Sequence, residues 1–199
     1  MSQTPSILLY SALAVLCLLI IALLIYKNKH RSSALKMHKI LEPYIRDEIK
    51  EIIVPDGIGG LLEIEHLILT DQGLLLVETY PMSGNLFGAD TIDQWTQIID
   101  GRSYKFANPL RHIRTSRQAI KAITPNIPIF CRVVFNANSE FPKGKPEEVS
   151  VLTSLANDMV VMSKDASVTL ASQKAWDKIM RIARKNGQAV EREGEQGGR

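Results

Sequence analysis

Residues 64–80 contain two apolar runs joined by a short polar turn, Ile64-Glu65-His66-Leu67-Ile68-Leu69, Thr70-Asp71-Gln72-Gly73, Leu74-Leu75-Leu76-Val77-Glu78-Thr79-Tyr80. Apolar runs of this length around a glycine-containing turn are typical of paired antiparallel β-strands. A two-residue loop at Asp71-Gln72 places Glu65 directly opposite Glu78, whereas a three-residue loop offsets the two by one position. The stretch therefore predicts a hairpin that carries two carboxylates, whose facing depends on the loop length.

The two glutamates either form a chemically functional site or lie at an exposed position of the sheet. Like charges held opposite each other in a sheet are unfavourable, and burial beside apolar strands increases the cost. A divalent cation, a basic neighbour or a shared proton would compensate. Paired carboxylates are what Mg²⁺ sites use to activate water against a phosphodiester. The alternative is that Glu65 and Glu78 lie at a solvent-exposed edge of the sheet.

Outward from the hairpin, the pattern predicts helices and short strands in alternation. Asn108-Pro109 is typical of a helix start, an N-cap side chain followed by proline, and that helix should run to about Ile123. Two further helices are expected, over 34–45, where Pro43 is the weak point, and over 172–185. Strands are expected over 52–54, 128–135, 149–152 and 159–162. Residues 81–108 are expected to be irregular, with Trp95 as a core anchor. These elements predict an α/β fold, a small mixed sheet flanked by helices.

The N-terminal region predicts a single membrane-spanning helix. Residues 7–26 form a run of about 20 residues without charge, proline or glycine, enough for a hydrocarbon core of roughly 30 Å. Residues 1–6 carry no charged side chain, whereas Lys27, Lys29 and Arg31 follow the run, and basic residues favour the cytoplasmic side. We therefore expect the lipid bilayer as a partner, with the N-terminus outside and the C-terminal domain cytoplasmic, at a bacterial inner membrane.

Five segments follow from this pattern: a short N-terminal segment 1–6, a transmembrane helix 7–26, a basic linker 27–33, one domain over 34–185, and a disordered tail 186–199 rich in glycine and charge.

Composition excludes several classes of function. The net charge of +3 is too small to indicate a nucleic-acid binder by itself. Neither a glycine-rich phosphate loop nor a Cys/His zinc pattern is present, and there is no serine or cysteine nucleophile motif. Basic residues do recur on the helix that begins at Asn108, where phosphate contacts are one interpretation and a solvated face is the other: Arg111, Arg114, Arg117 and Lys121.

The ordered set of motifs resembles the NERD (nuclease-related) domain. The set comprises the Ile-Glu-His strand, Leu-Leu-Val-Glu-Thr, Ser83-Gly84, Trp95, Phe106-x-Asn108-Pro109-Leu110 and Val133-Val134-Phe135, and the resemblance covers roughly residues 34–165. This family is similar to the PD-(D/E)xK, restriction-endonuclease-like nucleases. Those enzymes place an Asp on one strand and Glu-x-Lys on the next around Mg²⁺.

Carried over by position, the resemblance implies that Glu65 and Glu78 are the catalytic, metal-ligating acids and that Tyr80 stands in the lysine position. A phenol with an ordinary pKa near 10 supplies no cation at neutral pH, so this change removes the group that orients the attacking water. The acid that usually opens the first helix would fall near Ser33-Ala34 and is also missing, and His112 stands where the family commonly has Gln.

Two functions remain. One is a catalytically degenerate, nuclease-like binding or scaffold module at the cytoplasmic face of a membrane, which needs no cofactor. The other is an active nuclease that hydrolyses DNA or RNA with Mg²⁺, in which Lys105, Arg111 or His112 replaces the lysine. A protein partner is not indicated by the sequence.

Overall fold

The computed structural model describes residues 4–160, 170–185 and 188–189, apart from the side chains of Val160, Gln188, Ala189 and some residues between 4 and 32. The chain divides into two compact units, residues 1–39 and residues 40–199. The second unit carries the hairpin and all of the predicted site residues.

The first unit is helical. Helix α1 runs over Thr4–Leu41, so residues 27–33, predicted as a linker, continue the helix. A 3-10 turn at Glu42–Tyr44 follows, with Pro43 at the predicted weak point. Within the described residues, no helix combines the length and apolar character that a membrane crossing requires. The predicted span over 7–26 is therefore not supported, and several of its side chains lie outside the described residues.

The second unit is built on a seven-stranded mixed sheet. Its long strands are β1 (Asp47–Pro55), β2 (Leu61–Thr70), β3 (Gly73–Tyr80) and β7 (Ile129–Phe135), with β9 (Val149–Val151), β10 (Arg184–Lys185) and β11 (Gln188–Ala189) at the margins. The strand order is β11-β10-β1-β2-β3-β7-β9, in which β7 runs parallel to both β3 and β9. Because β2 and β3 lie in the centre, their near-continuous apolar runs are buried on both faces.

The hairpin of β2 and β3 has the two-residue loop. Thr70 pairs with Gly73, and the register continues to His66 opposite Val77. The recorded pairs end there, and the same register continued by one step brings Glu65 opposite Glu78. Leu67, Leu69, Leu74 and Leu76 belong to the hydrophobic core, and the two glutamates extend the same face of the sheet beyond it.

Two amphipathic helices contact the sheet and each other. They are α2 (Pro109–Ile123) and α4 (Leu170–Ile182). Asn108 caps α2 as predicted, because its side chain accepts a hydrogen bond from the Leu110 N–H at 2.9 Å. Trp176 ties α4 to β1 by donating its indole N–H to Asp47 at 2.8 Å.

Residues 81–108 were predicted to be irregular, and that prediction was wrong. They supply most of a second sheet. Strands β4 (Gly84–Phe87), β5 (Gln94–Ile99), β6 (Arg102–Ala107) and β8 (Ser139–Glu140) lie in the order β6-β5-β4-β8. The fold is therefore α/β with two mixed sheets flanked by helices. Asp100-Gly101 closes the β5–β6 hairpin, with φ values of 51° and 72°. Asp-Gly is a strong hairpin signal, which the prediction of irregular chain over 81–108 did not use.

The second sheet depends on tight packing around Trp95, which is buried as expected for a core anchor. A Cβ added at Gly88 would lie 2.1 Å from the indole ring, so the backbone needs glycine there to pass the ring. The Trp95 N–H donates to the carbonyl of Ala89 at 3.1 Å. This ring therefore fixes the path of the loop between β4 and β5.

Two further predictions were wrong in part. Residues 159 and 160, predicted as the start of a strand, end helix α3 (Leu155–Val160), while residues 161 and 162 lie outside the described residues. In the tail predicted to be disordered, Gln188–Ala189 pairs with Arg184–Lys185. The rest of that tail, residues 186, 187 and 190–199, lies outside the described residues.

The buried Asn108 side chain yields a stability prediction. Its oxygen caps α2, and its amide donates to the carbonyl of Ile92 at 2.8 Å, so one side chain joins the helix to the loop before β5. Asn108→Ala should lower the free energy of unfolding by about 2 kcal/mol, about 1 for the cap and about 1 for the buried hydrogen bond. Urea denaturation measures this change in the free energy of unfolding.

Asn108→Asp is the matched control, because it retains the capping oxygen but replaces the amide donor by a charged acceptor. A loss of stability in Asn108→Ala below about 0.5 kcal/mol, the lower limit for a cap alone, would contradict the double role of Asn108.

Candidate functional site

An acidic pocket opens where β2 and β3 leave the core. It has a volume of about 370 Å³ and is lined by four glutamates and three other polar residues: Glu51, Glu63, Glu65, Glu78, Thr79, Tyr80 and His112. The structure thus brings together the three predicted catalytic positions, Glu65, Glu78 and Tyr80. The roles assigned to them from the family resemblance remain predictions.

Glu65 is held by the neighbouring strand. One carboxylate oxygen accepts the backbone N–H of Thr79 at 2.8 Å, and the other accepts the Thr79 hydroxyl. A carboxylate with hydrogen bonds on both oxygens is fixed in orientation. Thr79 therefore positions Glu65, a role that the sequence analysis did not identify.

Glu78 is buried and bonds to a residue of helix α2. His112 Nδ1 lies 2.7 Å from Glu78 Oε1, and the imidazole itself is half-exposed. Burial raises the pKa of Glu78, while the hydrogen bond and charge of His112 oppose that shift and the charge of Glu65 adds to it. His112 is thus the basic neighbour that was expected to compensate the paired carboxylates. It lies one turn into α2, the helix that Asn108 caps.

Tyr80, which the resemblance predicts to stand in the lysine position, is part of the aromatic packing. Its ring centroid lies 5.6 Å from that of Phe135 on β7. Burial, together with the negative charges of Glu78 and Glu65, raises the pKa of the Tyr80 hydroxyl to about 12. The phenol is therefore neutral at physiological pH and supplies no positive charge to the pocket.

Glu51 is a pocket residue that the sequence analysis missed. It occupies the position on β1 opposite Glu65, between the pairs Lys50–His66 and Ile52–Ile64. Its φ of 57° lies in the left-handed region, which is unusual for a residue other than glycine. The adjacent strands β1, β2 and β3 each contribute a glutamate at this level. Extending the strand register to β1 would have revealed Glu51.

The fit of this pocket to a divalent cation is limited. Across the described ranges, no group of three or more His, Cys, Asp or Glu side chains is arranged to hold a metal ion. Mg²⁺ needs only one or two carboxylates when water and substrate phosphates complete its shell. Glu65 and Glu78 would be those ligands, and each already accepts a hydrogen bond within the protein.

The basic residues predicted to contact phosphates lie on α2, and three of the four form ion pairs. Arg111 contacts Asp93 at 2.6 Å, and Arg117 contacts Glu148 at 2.8 Å. Arg114 contacts both Glu148, at 2.6 Å, and Asp90. Lys121 is exposed. Their assignment to nucleic acid remains a prediction, but nearby carboxylates neutralise most of the positive charge.

The fold and pocket thus define an α/β domain in which acids from neighbouring strands meet the start of a helix. The family model of the nuclease-related domain matches residues 29–136, which is more than half of the 199 residues. The chain belongs to this nuclease-related (NERD) family. The matched range contains every residue that lines the pocket.

A curated protein of Bacillus anthracis, named only as uncharacterized, is 26% identical to the chain over 96 residues. The alignment covers 46% of this chain and 45% of that protein, so the chain spans less than half of its length. No solved structure gives a significant match.

The burial of Glu78 predicts a pH-dependent stability. Because its folded-state pKa lies above the ordinary value, the folded state binds the proton more tightly than the unfolded chain. Stability is then greatest at low pH with respect to this group and falls as the pH rises through the raised pKa. Glu78→Gln, which is neutral, should melt higher than the native protein at neutral pH, and the gap should close toward about pH 4.

Melting temperatures measured by circular dichroism across this pH range test the expectation, and each kcal/mol corresponds to about 2–4 °C. Glu63→Gln, at an exposed position in the same pocket, controls for the removal of one negative charge. A gap between native protein and Glu78→Gln that is the same at every pH would show that burial of the charge is not its cause.

Proposed function

We propose that the protein is a catalytically degenerate nuclease-related module that binds nucleic acid without hydrolysing it. The family makes nucleic acid the expected ligand. The observation that carries the proposal is the state of the lysine position, where Tyr80 is neutral and packs against Phe135. Without a cation at that position, nothing there offsets the charge of an attacked phosphodiester.

The internal hydrogen bonds of the two acids support the same proposal. Thr79 donates to both oxygens of Glu65, and His112 occupies one oxygen of Glu78. A metal ion and its water would have to displace these partners or share the remaining lone pairs. Glu65 and Glu78 thus each have a hydrogen-bond partner within the protein without a metal.

We further propose that the domain is a divergent member of the PD-(D/E)xK, restriction-endonuclease-like fold. The support is topological: Glu65 and Glu78 lie on adjacent antiparallel strands, and β3 is followed in the sheet by the parallel strand β7. The expected location, with the N-terminal end outside and the domain in the cytoplasm, stays a prediction.

An active nuclease is the competing function, and one contact favours it. His112 lies 2.7 Å from Glu78 and could supply the positive charge that Tyr80 does not. In that case Glu65 and Glu78 would hold Mg²⁺, and the metal would activate water for attack on phosphorus.

A cleavage assay separates the two. The full chain is incubated with single- and double-stranded DNA and with RNA, in Mg²⁺ or Mn²⁺, beside Glu78→Ala and His112→Ala. We expect no product above that of Glu78→Ala, together with binding that weakens as salt rises. Cleavage by the native chain that disappears in Glu78→Ala would overturn the degenerate assignment, and its loss in His112→Ala as well would place the missing cation there.

The absence of a functional metal site has its own measurement. If Glu65 and Glu78 bind no divalent cation, millimolar Mg²⁺ should leave the melting temperature of the native chain unchanged relative to Glu78→Ala. A rise confined to the native chain would indicate a bound ion.

A further inference from the structure

The hairpin of β5 and β6 carries an exposed tyrosine between two cationic side chains, Arg102 and Lys105. We propose that this hairpin, and not helix α2, is the surface that binds single-stranded nucleic acid. The inference rests on the nucleic-acid binding proposed above and goes beyond it by assigning the binding to a particular surface and to single strands.

Helix α2 is a poor phosphate surface because its arginines have acidic partners. A phosphate that approached Arg111, Arg114 or Arg117 would also meet Asp93, Asp90 or Glu148. The repulsion from these carboxylates cancels much of the attraction to the guanidinium groups.

The hairpin has the opposite balance of charge. Arg102 and Lys105 are exposed, and neither has an ion-pair partner in the part of the chain that the structure describes. Asp100, in the turn, is the sole acidic residue between residues 94 and 107. The two uncompensated cations lie on opposite faces of one short edge strand, so they suit a phosphate backbone that runs along that edge.

Tyr104 favours a single strand as the ligand. Tyr104 is 46% exposed and lies on the same face of β6 as Arg102, because side chains two residues apart in a strand point the same way; Lys105 lies on the other face. An exposed aromatic ring beside a basic group stacks on unpaired bases, which a duplex keeps inside its own stack. β6 is also the edge strand of its sheet, so a ligand can approach it from the side.

Rigid contacts connect the hairpin to the chain that leaves the acidic pocket. The Gln97 amide donates to the carbonyl of Ser83, three residues after Tyr80, at 2.7 Å. Trp95 of β5 stacks on Phe135 with a centroid separation of 6.3 Å, and Phe135 in turn contacts Tyr80. A strand bound on the hairpin is therefore held on the same framework as the pocket.

Fluorescence anisotropy with labelled oligothymidylate and oligouridylate of about 20 nucleotides, and with a labelled DNA duplex of the same length, tests the proposal on the full chain across a salt series. Arg102→Gln combined with Lys105→Gln should reduce the slope of log affinity against log salt by about 1.4, since a single-stranded phosphate contact contributes about 0.7. Tyr104→Ala should weaken binding by at least about fivefold at all salt concentrations.

Two comparison variants make the test specific. Lys143→Gln with Lys174→Gln removes the same total charge from exposed positions outside the hairpin and α2. Arg111→Gln with Asp93→Asn removes an ion pair from α2 without changing the local charge, and so examines the competing surface. Melting curves for each variant confirm that it folds.

The proposal is supported if the hairpin variants weaken binding more than both comparison variants do. It is overturned, with the proposed function intact, if the native chain binds but loses affinity through the α2 variant only, or binds a duplex as well as a single strand with no effect of Tyr104→Ala. It is also overturned if the hairpin variants change only solubility, because charges on an edge strand also prevent aggregation. No binding by the native chain overturns both the inference and the nucleic-acid part of the proposed function.

Discussion

The register of the β2–β3 hairpin places two carboxylates opposite each other at the end of a buried sheet, and the surrounding structure accommodates that placement. The same face supplies Leu67, Leu69, Leu74 and Leu76 to the core, so a shift of one residue would move these leucines to the opposite face of the sheet and disrupt that core. The register cannot move to relieve the repulsion. Relief comes from hydrogen bonds instead, by Thr79 to Glu65 and by His112 to Glu78.

The second sheet is joined to this hairpin by aromatic packing. Tyr80 meets Phe135, and Phe135 contacts Trp95 and Phe141 at centroid separations of 6.3 and 5.4 Å. A lysine at position 80 would bring a cation to the carboxylates but would lose the ring contact. Tyrosine at this position therefore provides apolar contact between β3 and β7 but lacks the positive charge that phosphodiester chemistry would use. This difference is the physical basis for the proposal of binding without hydrolysis.

The charge environment of the basic residues was harder to predict from the sequence than their position in the fold. The spacing of Arg111, Arg114, Arg117 and Lys121 predicted basic residues on one helix, and all four lie in α2, because helical periodicity is a local property. It could not predict that Asp90, Asp93 and Glu148 neutralise that face, because these acids come from loops distant in sequence. Conversely, the sequence indicated Lys105 only as a possible replacement for the missing lysine and did not single out Arg102, and the exposure of both on an edge strand became visible only with the second sheet.

The sequence by itself determined the features that depend on neighbouring residues: the β2–β3 hairpin, the Asn108-Pro109 start of α2, strand β7 and the burial of Trp95. It also narrowed the hairpin register to two choices, of which the two-residue loop is the one adopted. Only the tertiary structure decided which distant groups meet the carboxylates. His112 lies 34 residues from Glu78 in the chain, and Glu51 reaches the pocket from a third strand. Such contacts follow from the packing of helix on sheet and of strand on strand, which local patterns of apolar and polar residues do not encode.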